Sequence, residues 1–97
     1  MIALQFSPRS IIDLEEIGDF IARDNRERAE TFVSELLEAC ERVRLNPEAY
    51  VLRADIARGV RMAVYGQYLI LFRAHQDEIR IERIVHGARN IHRAWRS

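Results

Sequence analysis

Ile79-Arg80-Ile81-Glu82-Arg83-Ile84-Val85-His86-Gly87-Ala88-Arg89-Asn90 is the stretch that decides the fold. Its apolar residues alternate as in a β-strand, and the run ends in a glycine turn followed by an arginine. Ile79 and Ile81 share one face, but Arg83 breaks the alternation, which leaves either a β-bulge or an arginine with a task of its own. Just upstream, Gly59-Val60-Arg61-Met62-Ala63-Val64-Tyr65-Gly66 is a second arginine-bearing strand. Val60, Met62 and Val64 point one way and Arg61, Ala63 and Tyr65 the other. This places Arg61 away from the face that helices would cover. Gly66-Gln67 reads as a tight turn. Tyr68-Leu69-Ile70-Leu71-Phe72-Arg73 is almost wholly apolar, as expected of a central strand covered on both faces, and Gln76-Asp77 is the next turn. Three strands in hairpin order, with cations along one edge, suit an anionic partner: a phosphate backbone or an acidic protein segment.

Working back toward the N-terminus, the period changes from two to 3.6. Ala29, Phe32, Val33, Leu36, Leu37, Cys40 and Val43 form the stripe of a long helix that Asn46-Pro47 stops. Ile11, Leu14, Ile17 and Ile21 form the stripe of a shorter one, from Pro8 to about Arg23, with Ser7 as its N-cap. Asp24-Asn25 breaks the two apart and offers a cap, so they should pack as an antiparallel hairpin. Ile2, Leu4 and Phe6 alternate as a first strand. Asn90 is placed to cap a short C-terminal helix reaching Trp95. The order is β-α-α-β-β-β with a final helical turn: an α+β fold, with a helical hairpin on one face of a small antiparallel sheet.

The chain has 97 residues, 48% of them hydrophobic, enough for one domain over 1–97 with a real core. No run of about 18 apolar residues is present, so no membrane span is expected. The start Met1-Ile2-Ala3-Leu4-Gln5-Phe6 lacks the features of a signal peptide. A single cysteine, Cys40, allows no internal disulfide, and a cytoplasmic protein is expected. Cys40 sits on an apolar stripe and reads as a small buried hydrophobe. His75, His86 and His92 show no metal-ligand spacing with it, and no glycine-rich phosphate loop occurs; no metal and no cofactor are expected.

The net charge of +0 hides two unequal halves. Residues 1–48 hold 11 acids and 6 arginines, and residues 49–97 hold 4 acids and 9 arginines. All 15 basic residues are arginine. No amine is therefore present for general-base or Schiff-base chemistry, and every cation is a planar, permanently charged fork.

Five segments, in order, carry a resemblance: Ser7-Pro8-Arg9, Asp13-Leu14-Glu15-Glu16-Ile17, Gly59-Val60-Arg61, Tyr68-Leu69-Ile70 and Ile84-Val85-His86-Gly87-Ala88-Arg89-Asn90. Together they resemble the RelE/ParE superfamily of type II toxin–antitoxin toxins, and the ParE branch more than the RelE branch. The resemblance implies a toxin neutralised by a cognate antitoxin, in a toxin–antitoxin hetero-oligomer. On the ParE side it implies inhibition of DNA gyrase by protein–protein contact, with no catalytic residue. On the RelE side it implies a metal-independent endoribonuclease that cuts messenger RNA on the ribosome. A degenerate, non-toxic member is the third possibility. In the nuclease reading Arg61 and Arg89 would hold phosphate, and His86 or His92 would move protons. In the ParE reading Arg61, Arg83, Arg89, Arg93, Trp95 and Arg96 are the candidate contacts with target or antitoxin. The chain departs from RelE in having no lysine and in closing on Trp95, which can stack on a base but cannot donate a proton as an acid.

Overall fold

The structure, a computed structural model, describes residues 2–97. Strand β1 (Ala3–Phe6) leads into helices α1 (Pro8–Ala22) and α2 (Arg26–Leu45). A 3-10 turn (Pro47–Ala49) follows, then strands β2 (Val51–Leu52), β3 (Val60–Tyr65), β4 (Tyr68–His75) and β5 (Glu78–His86), and helix α3 (Ile91–Arg96). The expected α+β architecture is present. Among the described residues no helix is long and apolar enough to cross a membrane.

Local chemistry accounts for each helix boundary. The Ser7 hydroxyl accepts the Ser10 N–H at 3.0 Å, and Pro8 starts the helix where its missing N–H costs nothing. Asn25 accepts the Arg28 N–H, and Asn90 accepts the Arg93 N–H, so both asparagines cap as the sequence suggests. Asn46-Pro47 ends α2 and opens the 3-10 turn.

The sheet order is β1-β5-β4-β3-β2. The β2–β3–β4–β5 run is antiparallel, but β1 joins β5 in parallel, Leu4 opposite Ile79 and Phe6 opposite Ile81. The sheet is therefore mixed rather than wholly antiparallel. Two helices separate β1 from the hairpins, so no tight turn dictates its direction. β2 has only two residues, too few for any periodic signal.

The break at Arg83 is a bulge. Leu71 pairs with Arg83, but its neighbour Phe72 pairs with Ile81, leaving Glu82 as the extra residue. β4 is central and covered on both faces, as its apolar run predicts. Ile70 and Phe72 join Ile17, Leu36, Cys40, Val43, Ile81 and Ile84 in the core under the helices. Leu71 joins Val60, Val85 and Ala94 in a second core on the opposite face, closed by Trp95, Ile91 and Ile56. Cys40 is fully buried, and desolvation pushes its thiol up to about 12, far from any nucleophilic role.

One expectation about β3 is reversed. Ala63 and Tyr65 pack under the helices, whereas Val60 and Met62 pack against the α3 side. Arg61 therefore lies on the helix-covered face, opposite Phe72 in the register. The alternation was legible; which side the helices choose was not, because Val60-Met62-Val64 is the more apolar set and yet Val64 stays 64% exposed.

Candidate functional site

The end of β5 and the turn into α3 hold most of the candidate residues. Arg83 is the first to be settled. Its guanidinium donates to Asp13 Oδ2 at 2.8 Å and to Oδ1 at 3.1 Å, and also to the Ala94 carbonyl and to Ser97 Oγ. The Ile84 N–H donates to the same Asp13 carboxylate at 2.9 Å. Arg83 and Asp13 are both buried. Arg83 is thus not a surface contact for a target or an antitoxin. It is an internal tie joining α1, β5 and α3, and the bulge at Glu82 is what turns it out of the alternating pattern. Two residues distant in sequence form this tie, so neither could be paired with the other beforehand.

His86 is held by both ring nitrogens. Nδ1 accepts the Ala88 N–H at 3.0 Å, so the ring proton sits on Nε2, which donates to Gln67 Oε1 at 3.1 Å. The ring also packs edge-on against Tyr68, centroids 5.2 Å apart. An imidazole with both nitrogens engaged stiffens the turn and has no lone pair free for a substrate proton. Gly87 follows, its N–H donating to the Gln67 carbonyl at 2.8 Å. A Cβ at Gly87 would sit 3.3 Å from that carbonyl oxygen, so close approach and not a positive φ accounts for glycine here.

Arg89 is exposed, and its backbone N–H donates to the His86 carbonyl. It borders a cavity of about 330 Å³ whose walls include Glu16, Phe20, Tyr68, Ile84 and His86. Phe20, 62% exposed, separates this cavity from a neighbouring one of about 370 Å³ that adds Arg28, Phe32 and Gly66. An aromatic groove with arginines on its rim thus runs past the ends of β3 to β5.

The remaining candidates lie elsewhere. Arg61 donates to the Tyr50 carbonyl at 2.7 Å, half-buried beneath the helices. His92, on α3, meets Asp55 at 3.1 Å. Asp55 is also gripped in bidentate fashion by Arg53, which holds its carboxyl well below the usual carboxylate range. Trp95 is half-buried on the second core, and its ring carries the Arg73 guanidinium at 5.2 Å. Arg93 and Arg96 project from α3, exposed and with no carboxylate partner among the described residues.

The residues named for a nuclease are not gathered at one point. Arg61 is level with Phe72 on β4, and His86 is level with Tyr68. Four residue steps and two strand spacings put their Cα atoms roughly 16 Å apart. His92 is on another element, paired with a different loop. What does cluster is an exposed set of cations: Arg89, Arg93 and Arg96, presented by the β5–α3 turn and by α3. The aromatic groove beside Arg89 escaped the sequence reading; its signal is Phe20, which lies off the Ile11-Leu14-Ile17-Ile21 stripe.

The chain superposes on a protein described as the chromosomal ParDE TA system from P. aeruginosa, with a TM-score of 0.75 at 24% identity, covering 89% of this chain and 96% of that one. That likeness establishes the shared fold. No curated protein matches the chain at a significant level. The family profile of the ParE toxin of the type II toxin–antitoxin system parDE matches residues 4–91, so the chain belongs to the ParE toxin family.

Proposed function

We propose that this protein is the toxin of a ParDE-type pair, neutralised in the cytoplasm by an antitoxin, and that it acts on DNA gyrase by binding rather than by hydrolysis. The observation carrying the proposal is the state of the candidate side chains. Three of the four that a nuclease would use are committed within the protein: both nitrogens of His86 are bonded, Arg61 is held by the Tyr50 carbonyl, and His92 is paired with Asp55. The exposed candidate cations without an ion pair among the described residues, Arg89, Arg93 and Arg96, lie on the surface, where planar guanidinium forks recognise carboxylates of a partner protein. Trp95 serves in this reading as the anchor that seats α3 and so positions Arg93 and Arg96.

The deciding experiment is a supercoiling assay with purified protein, gyrase, ATP and relaxed plasmid. Loss of supercoiling, or linear DNA after denaturation, is the expected result. Full supercoiling activity beside a folded protein freed of antitoxin, together with cleaved messenger RNA in expressing cells, would overturn it in favour of the ribonuclease reading.

A further inference from the structure

We propose that the cleft bounded by Arg9 on α1, the bulged part of β5 and Trp95 on α3 is a binding site for a nucleoside phosphate. The cleft holds about 360 Å³, within the range of small-ligand sites, and its walls include Arg9, Arg80, Glu82, Arg83 and Trp95. It shares no wall residue with the cavity beside Arg89. The strand register gathers its cations. Arg73 and Arg80 stand directly opposite each other across β4 and β5, a like-charge pair that costs stability unless an anion offsets it. Glu82, the extra residue of the bulge, supplies one carboxylate, accepting from Arg73 Nη1 at 3.4 Å and from Arg80 Nε at 3.2 Å. One carboxylate between two guanidinium groups leaves positive charge in excess, and Arg9 adds a third cation from α1.

Most of the donors on these arginines are unspent. Arg9 lies 3.7 Å from the nearest oxygens of Asp13 and Glu16, too far for a hydrogen bond, and Asp13 is already committed to Arg83. Arg80 donates only through Nε, which leaves both terminal nitrogens of its fork open. Arg73 gives Nε to the Arg58 carbonyl and Nη1 to Glu82. Charged donors aimed around a concave space suit a phosphate, whose oxygens accept from several guanidinium groups at once. Trp95 makes the occupant a nucleotide rather than a bare anion. Its indole is a wall of the same cleft, and Arg73 lies over the ring at 5.2 Å. A flat aromatic surface backed by a cation suits a base. A carboxylate side chain would use the arginines and leave that wall bare. Neither Arg89 nor Arg93 takes part, so the inference is independent of the gyrase reading.

The test uses the full chain, whose single tryptophan is Trp95, so a base against the indole changes the intrinsic fluorescence. ADP is the probe, beside inorganic phosphate, an oligoglutamate peptide and a short oligodeoxythymidylate. ADP is expected to quench Trp95 and to bind about tenfold tighter than inorganic phosphate, the gain from one stacked base. Arg9→Gln and Arg80→Gln are each expected to weaken ADP about tenfold, and together to flatten its salt dependence. Both side chains are partly exposed, so the fold should survive, as circular dichroism checks. Arg42→Gln, exposed on α2, serves as the unchanged control. No binding of ADP, equal affinity for ADP and phosphate, or full affinity in the double variant overturns the proposal. So does oligoglutamate binding as tightly as ADP, since the cleft would then fit an acidic protein segment. The oligodeoxythymidylate identifies the source. Binding tighter than ADP and lost in the double variant supports a nucleotide carried on a strand; weaker binding supports a free nucleotide. A failed supercoiling assay would leave this result untouched.

Discussion

The Arg83 guanidinium and the Asp13 carboxylate, 70 residues apart in the chain, close on each other at 2.8 and 3.1 Å with side chains 4% and 2% exposed. Asp13 also receives the Ile84 N–H, and Arg83 also reaches the last turn of α3. One ion pair therefore joins the first helix, the strand and the last helix. Removing one partner strands a buried charge, so Asp13→Ala or Arg83→Ala should cost about 3–5 kcal/mol. Urea unfolding measures this, and a double-mutant cycle should show strong non-additivity. A loss below about 1 kcal/mol from either single change would mean that the pair is solvated, contrary to its burial.

Arg93→Ala/Arg96→Ala should behave oppositely. Both side chains are exposed without carboxylate partners among the described residues, so stability should stay within about 0.5 kcal/mol of wild type. Gyrase inhibition should nevertheless fall, and Arg89→Ala should add to the loss. Undiminished inhibition by the folded triple variant would remove these arginines from the contact surface.

The neutral His86 ring should be the Nε2–H tautomer, readable from its ring ¹⁵N shifts. His86→Ala removes the acceptor for Ala88 N–H and the donor to Gln67, a loss of about 1 kcal/mol for each bond. In the binding mechanism that variant keeps its inhibitory activity once folded. An Nδ1–H tautomer would contradict the geometry of the turn.

Tyr65 and Glu35 give a pH signature. The Tyr65 hydroxyl donates to Glu35 Oε1 at 2.5 Å, and Arg28 grips the same carboxylate. Hydrogen bonding to Glu35 raises Tyr65 above the ordinary 10.0, while Arg28 and then Tyr65 hold Glu35 below 4.5. A raised phenol favours the fold fully below its unfolded value, and that contribution is lost as pH rises through the native value. A depressed carboxyl contributes above its unfolded value and loses this as pH falls through the native one. Ultraviolet titration should show two late tyrosines, Tyr65 and the Tyr68 that burial raises, and Glu35→Gln should bring only Tyr65 back toward 10.0. An unchanged titration would mean that the contact is not kept in solution.

Two glycines should respond with opposite signs. Gly66 opens the β3–β4 turn at φ 58°, where a side chain is strained, so Gly66→Ala should destabilise by about 1–2 kcal/mol. Gly18 is helical and its added Cβ makes only ordinary contact with Val33, so Gly18→Ala should stabilise by about 0.5–1 kcal/mol. Thermal melts of the two variants, moving in opposite directions, would confirm the distinction.

Sequence alone determined the elements whose signals are local. Helix stripes, the caps at Ser7, Asn25 and Asn90, the Gly66 turn and the apolar run of β4 depend on neighbours a few residues away, and all are present, except that Ile11 and Leu37 on the stripes stay exposed. The segments running from Ser7-Pro8-Arg9 to the Asn90 turn also carried the family resemblance, which the match over residues 4–91 bears out. Tertiary structure decided what depends on distant partners. β1 runs parallel to β5 because no tight turn constrains it. The bulge at Glu82 turns Arg83 toward Asp13, making an apparent surface cation into an internal tie. Arg61 falls under the helices because the sheet presents Ala63 and Tyr65 to them, while α3 and Trp95 claim Val60 and Met62. An alternating pattern states that a strand has two faces; only packing states which of them meets the helices.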